Sequence, residues 1–158
     1  MRAVVQRAAS ASVTINKGET RRIGPGLVVF LGILQGDGEE QARLLAGKIA
    51  GLRVFSDKEG KMNLALDDIG GEMLIISNFT LGSDCKKGRR PSFDLAAPPQ
   101  IGEALYRRFV EEVRALGVPA ATGEFGAEMR VLVDNDGPVT LVLDTEKLGR
   151  QPVKEDMP

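Results

Sequence analysis

Two unbroken apolar runs constrain the fold of this chain more than any other feature. Leu27-Val28-Val29-Phe30-Leu31 follows the turn residues Gly24-Pro25-Gly26, and Met73-Leu74-Ile75-Ile76 lies within Glu72 to Phe79. Neither run alternates apolar with polar. Short runs of this kind, bounded by turn signals, read as strands buried on both faces. A length of 158 residues suits one domain, and a hydrophobic content of 42% is enough for a single core.

The remaining segments fit around these two strands. Ala3-Val4-Val5 starts a short strand. Ala11-Ser12-Val13-Thr14-Ile15 alternates and reads as a second, with Asn16-Lys17-Gly18 turning after it. Asp37-Gly38-Glu39-Glu40 predicts a helix start, Asp37 capping and Glu40 completing a capping box. Ala42, Leu45, Ile49 and Leu52 then give that helix one apolar face. Arg53-Val54-Phe55 turns into strand. A second helix opens near Pro98-Pro99, with Ile101, Leu105, Phe109, Val113 and Leu116 as its stripe and Gly117 as its stop. Met129 to Val133 and Val139 to Leu143 both alternate, and Asn135-Asp136-Gly137 between them is a hairpin signal. From Glu146 the chain is polar and contains two Pro. We therefore expect an α/β fold: a compact single domain of mixed, largely antiparallel β-sheets with two main helices packed on them, in three layers. The domain is expected over 1–145, with a polar C-terminal tail over 146–158.

Composition removes most of the common catalytic kits. The chain has no His and one Cys, Cys85. It therefore has no Ser-His-Asp triad, no Cys-His dyad, no imidazole proton shuttle and no internal disulfide. No spacing of carboxylates suggests a metal loop, and no metal or cofactor is expected. A net charge of −1 argues against a grip on long nucleic acid, so any such contact is expected to be local. Met1-Arg2 leads into no long apolar region, and Leu27 to Leu34 is far shorter than the roughly 20 residues that span a bilayer. A cytoplasmic protein without a membrane association is expected.

Four segments are candidates for chemistry. Ser77-Asn78-Phe79-Thr80-Leu81 gathers hydroxyls and an amide at a strand end, where loops carry function on a rigid scaffold. Read blandly, its Ser and Thr satisfy local backbone groups. Gly137-Pro138 reads first as turn punctuation, and more sharply as a rigid backbone surface that a ligand can approach closely. Lys86-Lys87-Gly88-Arg89-Arg90 is the one dense basic run: a solvated loop, or a phosphate contact. In Thr122-Gly123-Glu124-Phe125-Gly126-Ala127 the Phe lies between two Gly, as core or as a stacking face for a base. Cys85 beside Lys86 has no His partner for catalysis. The residues alone offer a site without an identifiable base and do not name a reaction.

Five motifs, in chain order, carry a resemblance. Met1-Arg2-Ala3-Val4-Val5-Gln6-Arg7, Ser77-Asn78-Phe79-Thr80-Leu81, Gly88-Arg89-Arg90-Pro91-Ser92-Phe93, Thr122-Gly123-Glu124-Phe125-Gly126-Ala127 and Asn135-Asp136-Gly137-Pro138-Val139-Thr140 resemble those of D-aminoacyl-tRNA deacylases. The match runs from Met1 to about Asp144. Asn78 departs from the family's usual Gln, shortening that side chain by a methylene.

The resemblance implies a homodimer that hydrolyses the ester between a D-amino acid and the 3′-terminal adenosine of tRNA. It also implies action on mischarged glycyl-tRNA, and L-aminoacyl-tRNA is spared. Gly137-Pro138 would be a cis peptide inserted into the partner's site, its carbonyls holding the amino group and excluding an L side chain, with Arg7 supporting it. Catalysis would rest on Ser77, Asn78, Phe79 and Thr80, chiefly on backbone N–H groups around Phe79 and Thr80, with the ribose 2′-OH assisting a water. Phe125 and Met129 would line the adenosine pocket. Lys86, Lys87, Arg89 and Arg90 would touch tRNA phosphates. Two rivals are a same-fold deacylase with relaxed chirality that clears L-alanyl mischarged tRNA, and a non-catalytic RNA-end binding module. Phe79 weighs against the first, since the Phe-Thr-Leu form belongs to the D-specific pattern. The net charge weighs against the second.

Overall fold

The computed structural model describes residues 1–149. Most of the expected tail, 150–158, lies outside the described residues. Strand β1 (Arg2–Ile15) pairs with three other strands of the main sheet. One of its edges is shared by β2 (Thr20–Ile23) and β3 (Gly26–Gly32), both antiparallel to it. β8 (Met129–Asp144) runs antiparallel along the other edge over the full length of β1. β3 continues the sheet to β6 (Glu72–Ser77) and β7 (Ala120–Thr122) in parallel. β4 (Phe55–Ser56) and β5 (Met62–Leu64) form a separate small hairpin.

The two apolar runs are β3 and β6, side by side at the centre. Alternate residues serve different cores, which explains why neither run contains a polar position. Leu27, Val29, Leu31, Met73 and Ile75 face helices α1 (Glu39–Ala50) and α2 (Pro99–Ala115). Val28, Leu74 and Ile76 face the other way, onto Val13, Ile15 and Ile23 and the half-buried Met129, Val131 and Val133. The far halves of β1 and β8, with β2, thus curl over the central strands as a third layer. This is the expected arrangement of two helices on a mixed sheet.

Several local expectations are corrected. Ala3–Val5 and Ala11–Ile15 are one strand, because β8 pairs with both segments and irregularities at Gln6/Ala8 and Ala8/Ser10 absorb the mismatch. Asp37 does not cap α1. Its carboxylate accepts from the Leu34 N–H at 2.7 Å and from the Met1 amino group at 2.5 Å. Gly38 is the N-cap, and Gln41 rather than Glu40 reaches back to the Gly38 N–H, at 2.9 Å. In α2 the stripe is Leu105, Tyr106, Phe109, Val110 and Val113, while Ile101 and Leu116 at its ends are exposed. The strand from Glu72 stops at Ser77, and Phe79 belongs to a tight 3₁₀ turn, Phe79–Gly82. The hairpin at Asn135-Asp136-Gly137 is absent: the segments on either side run in the same direction along β1, as one strand.

Arg2 ties the end of this ladder to the 3₁₀ turn. Its Nε donates to Asp144 Oδ2 at 3.1 Å and its Nη1 to the Leu81 carbonyl at 2.7 Å. Burial alone would raise the Asp144 carboxyl, but the Glu146 N–H and the Arg2 guanidinium outweigh it and hold it below the usual carboxylate range. A carboxyl depressed in the folded state adds stability above its unfolded pKa, and that stability is lost as pH falls through the folded value. Asp144→Asn is therefore expected to lower the melting temperature at pH 7. The gap to the parent protein should narrow as pH falls below about 4, as thermal unfolding across a pH series will register.

Candidate active site

The parallel pairing of β3 with β6 delivers the first candidate site residues. Ser77 lies opposite Leu31, and the Asn78 N–H extends the ladder by donating to the Leu31 carbonyl at 2.8 Å. The chain then tightens: the Leu81 N–H donates to the Asn78 carbonyl at 3.3 Å and the Ser83 N–H to the Thr80 carbonyl at 3.1 Å. The turn sits directly on Gly32. A Cβ there would lie 2.7 Å from Leu81 Cβ and 3.2 Å from the Asn78 carbonyl oxygen, so glycine is required by contact. Phe79 and Thr80 open this turn, where a helical turn has no internal acceptor for its first N–H groups. The Thr80 hydroxyl donates to Asn78 Oδ1, which closes the two side chains onto each other.

A cleft of about 710 Å³ opens beside this turn, within the range of small-ligand sites. Its lining comes from three stretches: Ser77 to Phe79; Gln35 with Phe93, Asp94 and Ala96 to Pro99; and Phe125 to Ala127 with Met129. The structure thus brings together Ser77, Asn78, Phe79, Phe125 and Met129. Thr80 is exposed beside the cleft and does not line it.

Two residues without an assigned role hold the Phe125 wall. Tyr106 lies 6.2 Å from the Phe125 ring, centroid to centroid, and its hydroxyl donates to the Ile75 carbonyl at 2.8 Å. Burial pushes the Tyr106 hydroxyl up to about 12, so it remains a proton donor across the physiological range. Arg21 on β2 donates to the carbonyls of Thr122 at 2.8 Å and Gly123 at 3.2 Å, fixing the entry to the 123–127 loop. Its bond to Glu19 holds that carboxyl below its ordinary value. Tyr106 had a visible signal as the chain's one Tyr at helical spacing. Arg21 had none.

The Gly137-Pro138 segment lies elsewhere in the chain, and its geometry is unusual. Gln6 pairs with Thr140 and Ala8 with Asn135, so residues 136–139 of β8 stand opposite Arg7 alone. The surplus loops out as a corner, and Asp136, Gly137 and Pro138 are exposed. The Gly137–Pro138 peptide bond is cis. Asn135 closes the neck, its Nδ2 donating to the carbonyls of Arg7 at 2.9 Å and Val139 at 3.0 Å. Arg7 supports the tip: Nε donates to the Asp136 carbonyl at 3.1 Å and Nη1 to the Val54 carbonyl at 2.7 Å. At Gly137 φ is +122°, and a Cβ would fall 2.9 Å from Arg7 Nη2. Neither Gly137, Pro138 nor Arg7 lines the cleft. Lys86, Lys87, Arg89 and Arg90 are exposed and also lie outside the lining, as does Cys85. Among the described residues, no three His, Cys, Asp or Glu side chains group as metal ligands.

A family model described as D-Tyr-tRNA(Tyr) deacylase matches residues 4–144. The chain belongs to this family. It is 55% identical over 148 residues to the D-aminoacyl-tRNA deacylase of Syntrophobacter fumaroxidans, covering 94% of this chain and 99% of that one. It is 56% identical over 145 residues to the D-aminoacyl-tRNA deacylase of a Roseiflexus species, covering 92% and 94%. A solved structure described as the c-Myc DNA unwinding element binding protein is similar with a TM-score of 0.85 and 42% identity, over 91% of this chain and 98% of that one. A probable eukaryotic D-amino acid tRNA deacylase shares the fold, with a TM-score of 0.78 at 22% identity over 90% and 97%. Family membership places the 3₁₀ turn, the Phe125 loop and the looped-out corner within the matched span.

The neck of the corner makes a direct prediction. Asn135→Ala leaves the Arg7 and Val139 carbonyls without that partner. It should cost about 1–2 kcal/mol, seen as a lower urea midpoint at unchanged slope.

Proposed function

We propose that this chain hydrolyses the ester joining a D-amino acid, or glycine, to the 3′-terminal adenosine of tRNA, as a homodimer in which the Gly137-Pro138 corner of one protomer completes the cleft of its partner. The enzyme class follows from the family: a hydrolase acting on aminoacyl-tRNA. The observation that carries the finer reading is the corner itself. It is exposed, braced by Arg7 and Asn135, and does not line the cleft of its own chain. A rigid surface that serves no site of its own is suited to another protomer's.

Chirality differs at one carbon, so one fixed wall can reject an L side chain whatever its chemistry. The corner's carbonyls hold the amino group and that wall excludes the L side chain. Glycine has no side chain to exclude, and so passes. Phe125 and Met129 receive the adenosine. The N–H groups of Phe79 and Thr80 stabilise the developing oxyanion, at roughly 3–4 kcal/mol per donor. The chain has no imidazole, and the adjacent ribose 2′-OH assists the attacking water. Ser77 and Thr80 position substrate or water. The Thr80 hydroxyl is already donated to Asn78 Oδ1, which favours positioning over nucleophilic attack. Asn78, one methylene shorter than Gln, lines the cleft and also holds the Thr80 hydroxyl. Lys86, Lys87, Arg89 and Arg90 meet tRNA phosphates. We assign this activity to residues 1–145, in the cytoplasm, and no part of it to 146–158. No described helix is long and apolar enough to cross a membrane.

The test is hydrolysis of matched D- and L-tyrosyl-tRNA, each with and without the terminal 2′-OH. The D ester should be cleaved and the L ester spared, with D cleavage falling at least a hundredfold without the 2′-OH, on the scale of general acid–base assistance. Equal cleavage of both enantiomers would support the relaxed-chirality rival. Binding of the tRNA end without hydrolysis would support a non-catalytic module. Full activity without the 2′-OH would remove the substrate-assisted step alone.

A further inference from the structure

Two aromatic rings at the lip of the cleft remain unused by that account. Phe79 leaves 59% of its surface in solvent and Phe93 leaves 38%. Burying a Phe is worth about 1.5–3 kcal/mol, and aromatics are 4% of this chain, so two exposed rings side by side require a reason. They pair edge to face, with centroids 5.3 Å apart and planes at 72°. Both line the cleft that the proposal assigns to the terminal nucleoside.

The chain between the two rings carries the basic run. Asp84 and Ser92 exchange backbone hydrogen bonds of 2.7 and 2.9 Å, closing a hairpin one residue before Phe93. The Asp84 carboxylate accepts from the Lys86 N–H at 2.9 Å, and Gly88 turns the tip at a φ of +66°. Lys86, Lys87, Arg89 and Arg90 all project into solvent from this hairpin. Among the described residues, none of the four is in an ion pair. An apolar, π-faced lip is therefore flanked by four cations on a base pinned next to it.

We propose that Phe79 and Phe93 form a stacking platform for the base of the nucleotide 5′ to the terminal adenosine, and that the Lys86–Arg90 hairpin neutralises the phosphates flanking that nucleotide. This rests on the reading of the cleft as the seat of the aminoacyl-adenosine. Continuity with the cleft and charge complementarity favour single-stranded nucleic acid as the occupant. Every base has a π face, so stacking accepts any penultimate base. A base held in a duplex cannot splay onto the platform, so the site reads an unpaired end.

The experiment uses the whole protein and two probes: D-tyrosyl esters of a trinucleotide, one intact and one abasic at the penultimate position. Removing the base should lower kcat/KM about tenfold in the parent protein, and less than twofold in Phe93→Leu, which keeps an apolar lip. An equal drop in both proteins, or none in the parent, overturns the platform. Loss of the dimer by Phe93→Leu in sedimentation would assign the rings to the protomer interface and also overturn it. Failure of the parent to cleave the intact trinucleotide ester would overturn the functional reading itself, a result distinct from the others.

Discussion

Strand β8 pairs with β1 from Arg2–Asp144 at one end to Ile15–Met129 at the other. A ladder held at both ends has to place surplus residues somewhere between. Here four residues of β8 face one residue of β1, and that residue is Arg7. The excess is expelled as a corner. Asn135 ties its neck across the ladder, and the Arg7 guanidinium links its tip to the Val54 carbonyl. Each bond would be modest alone. Together they join the corner to two separate segments of the chain, which converts an exposed loop into a fixed surface.

The same economy governs the cleft. The elements proposed to be catalytic are a strand end and a tight turn, placed by the Leu31 carbonyl, by contact with Gly32, and by Arg2 holding the Leu81 carbonyl. The groups that the proposal offers to a substrate are backbone amides and small polar side chains. Backbone donors need no proton transfer to become active, and their effect depends on being held in place before the reaction. In the proposed mechanism, this is how a chain without His carries out hydrolysis on ordinary residues. The buried Tyr106 and the Arg21 bridge do for the Phe125 loop what Gly32 and Arg2 do for the turn.

Much of this was legible in the sequence, and the failures have common causes. The apolar runs revealed strands covered on both faces, because a missing polar position reports two cores. Both helices followed from their periodicity. The motif residues at 77–79, 125 and 129 do meet in one cleft. The error at Asn135-Asp136-Gly137 arose because turn residues report local bending. They do not report whether the flanking strands pair with each other or with a third strand. Asp37 misled in the same way: a carboxylate before a helix suits the cap, but Leu34 N–H and the Met1 amine offered it better partners. Arg21 and the neck role of Asn135 depend on contacts across more than 100 residues, which no local pattern encodes.

The central claim is that the corner of one protomer acts in the cleft of the other. Purified heterodimers test it directly, made from one chain carrying Phe125→Ala, which removes the Phe125 wall of its own cleft, and one carrying Asn135→Ala, which loosens its own corner. The quantity to measure is the ratio of D- to L-tyrosyl-tRNA cleavage. If corners act in trans, the one working cleft meets the intact corner of the Phe125→Ala chain, and the heterodimer rejects the L ester as the parent protein does. Cleavage of the L ester at the level of the Asn135→Ala homodimer would contradict the account.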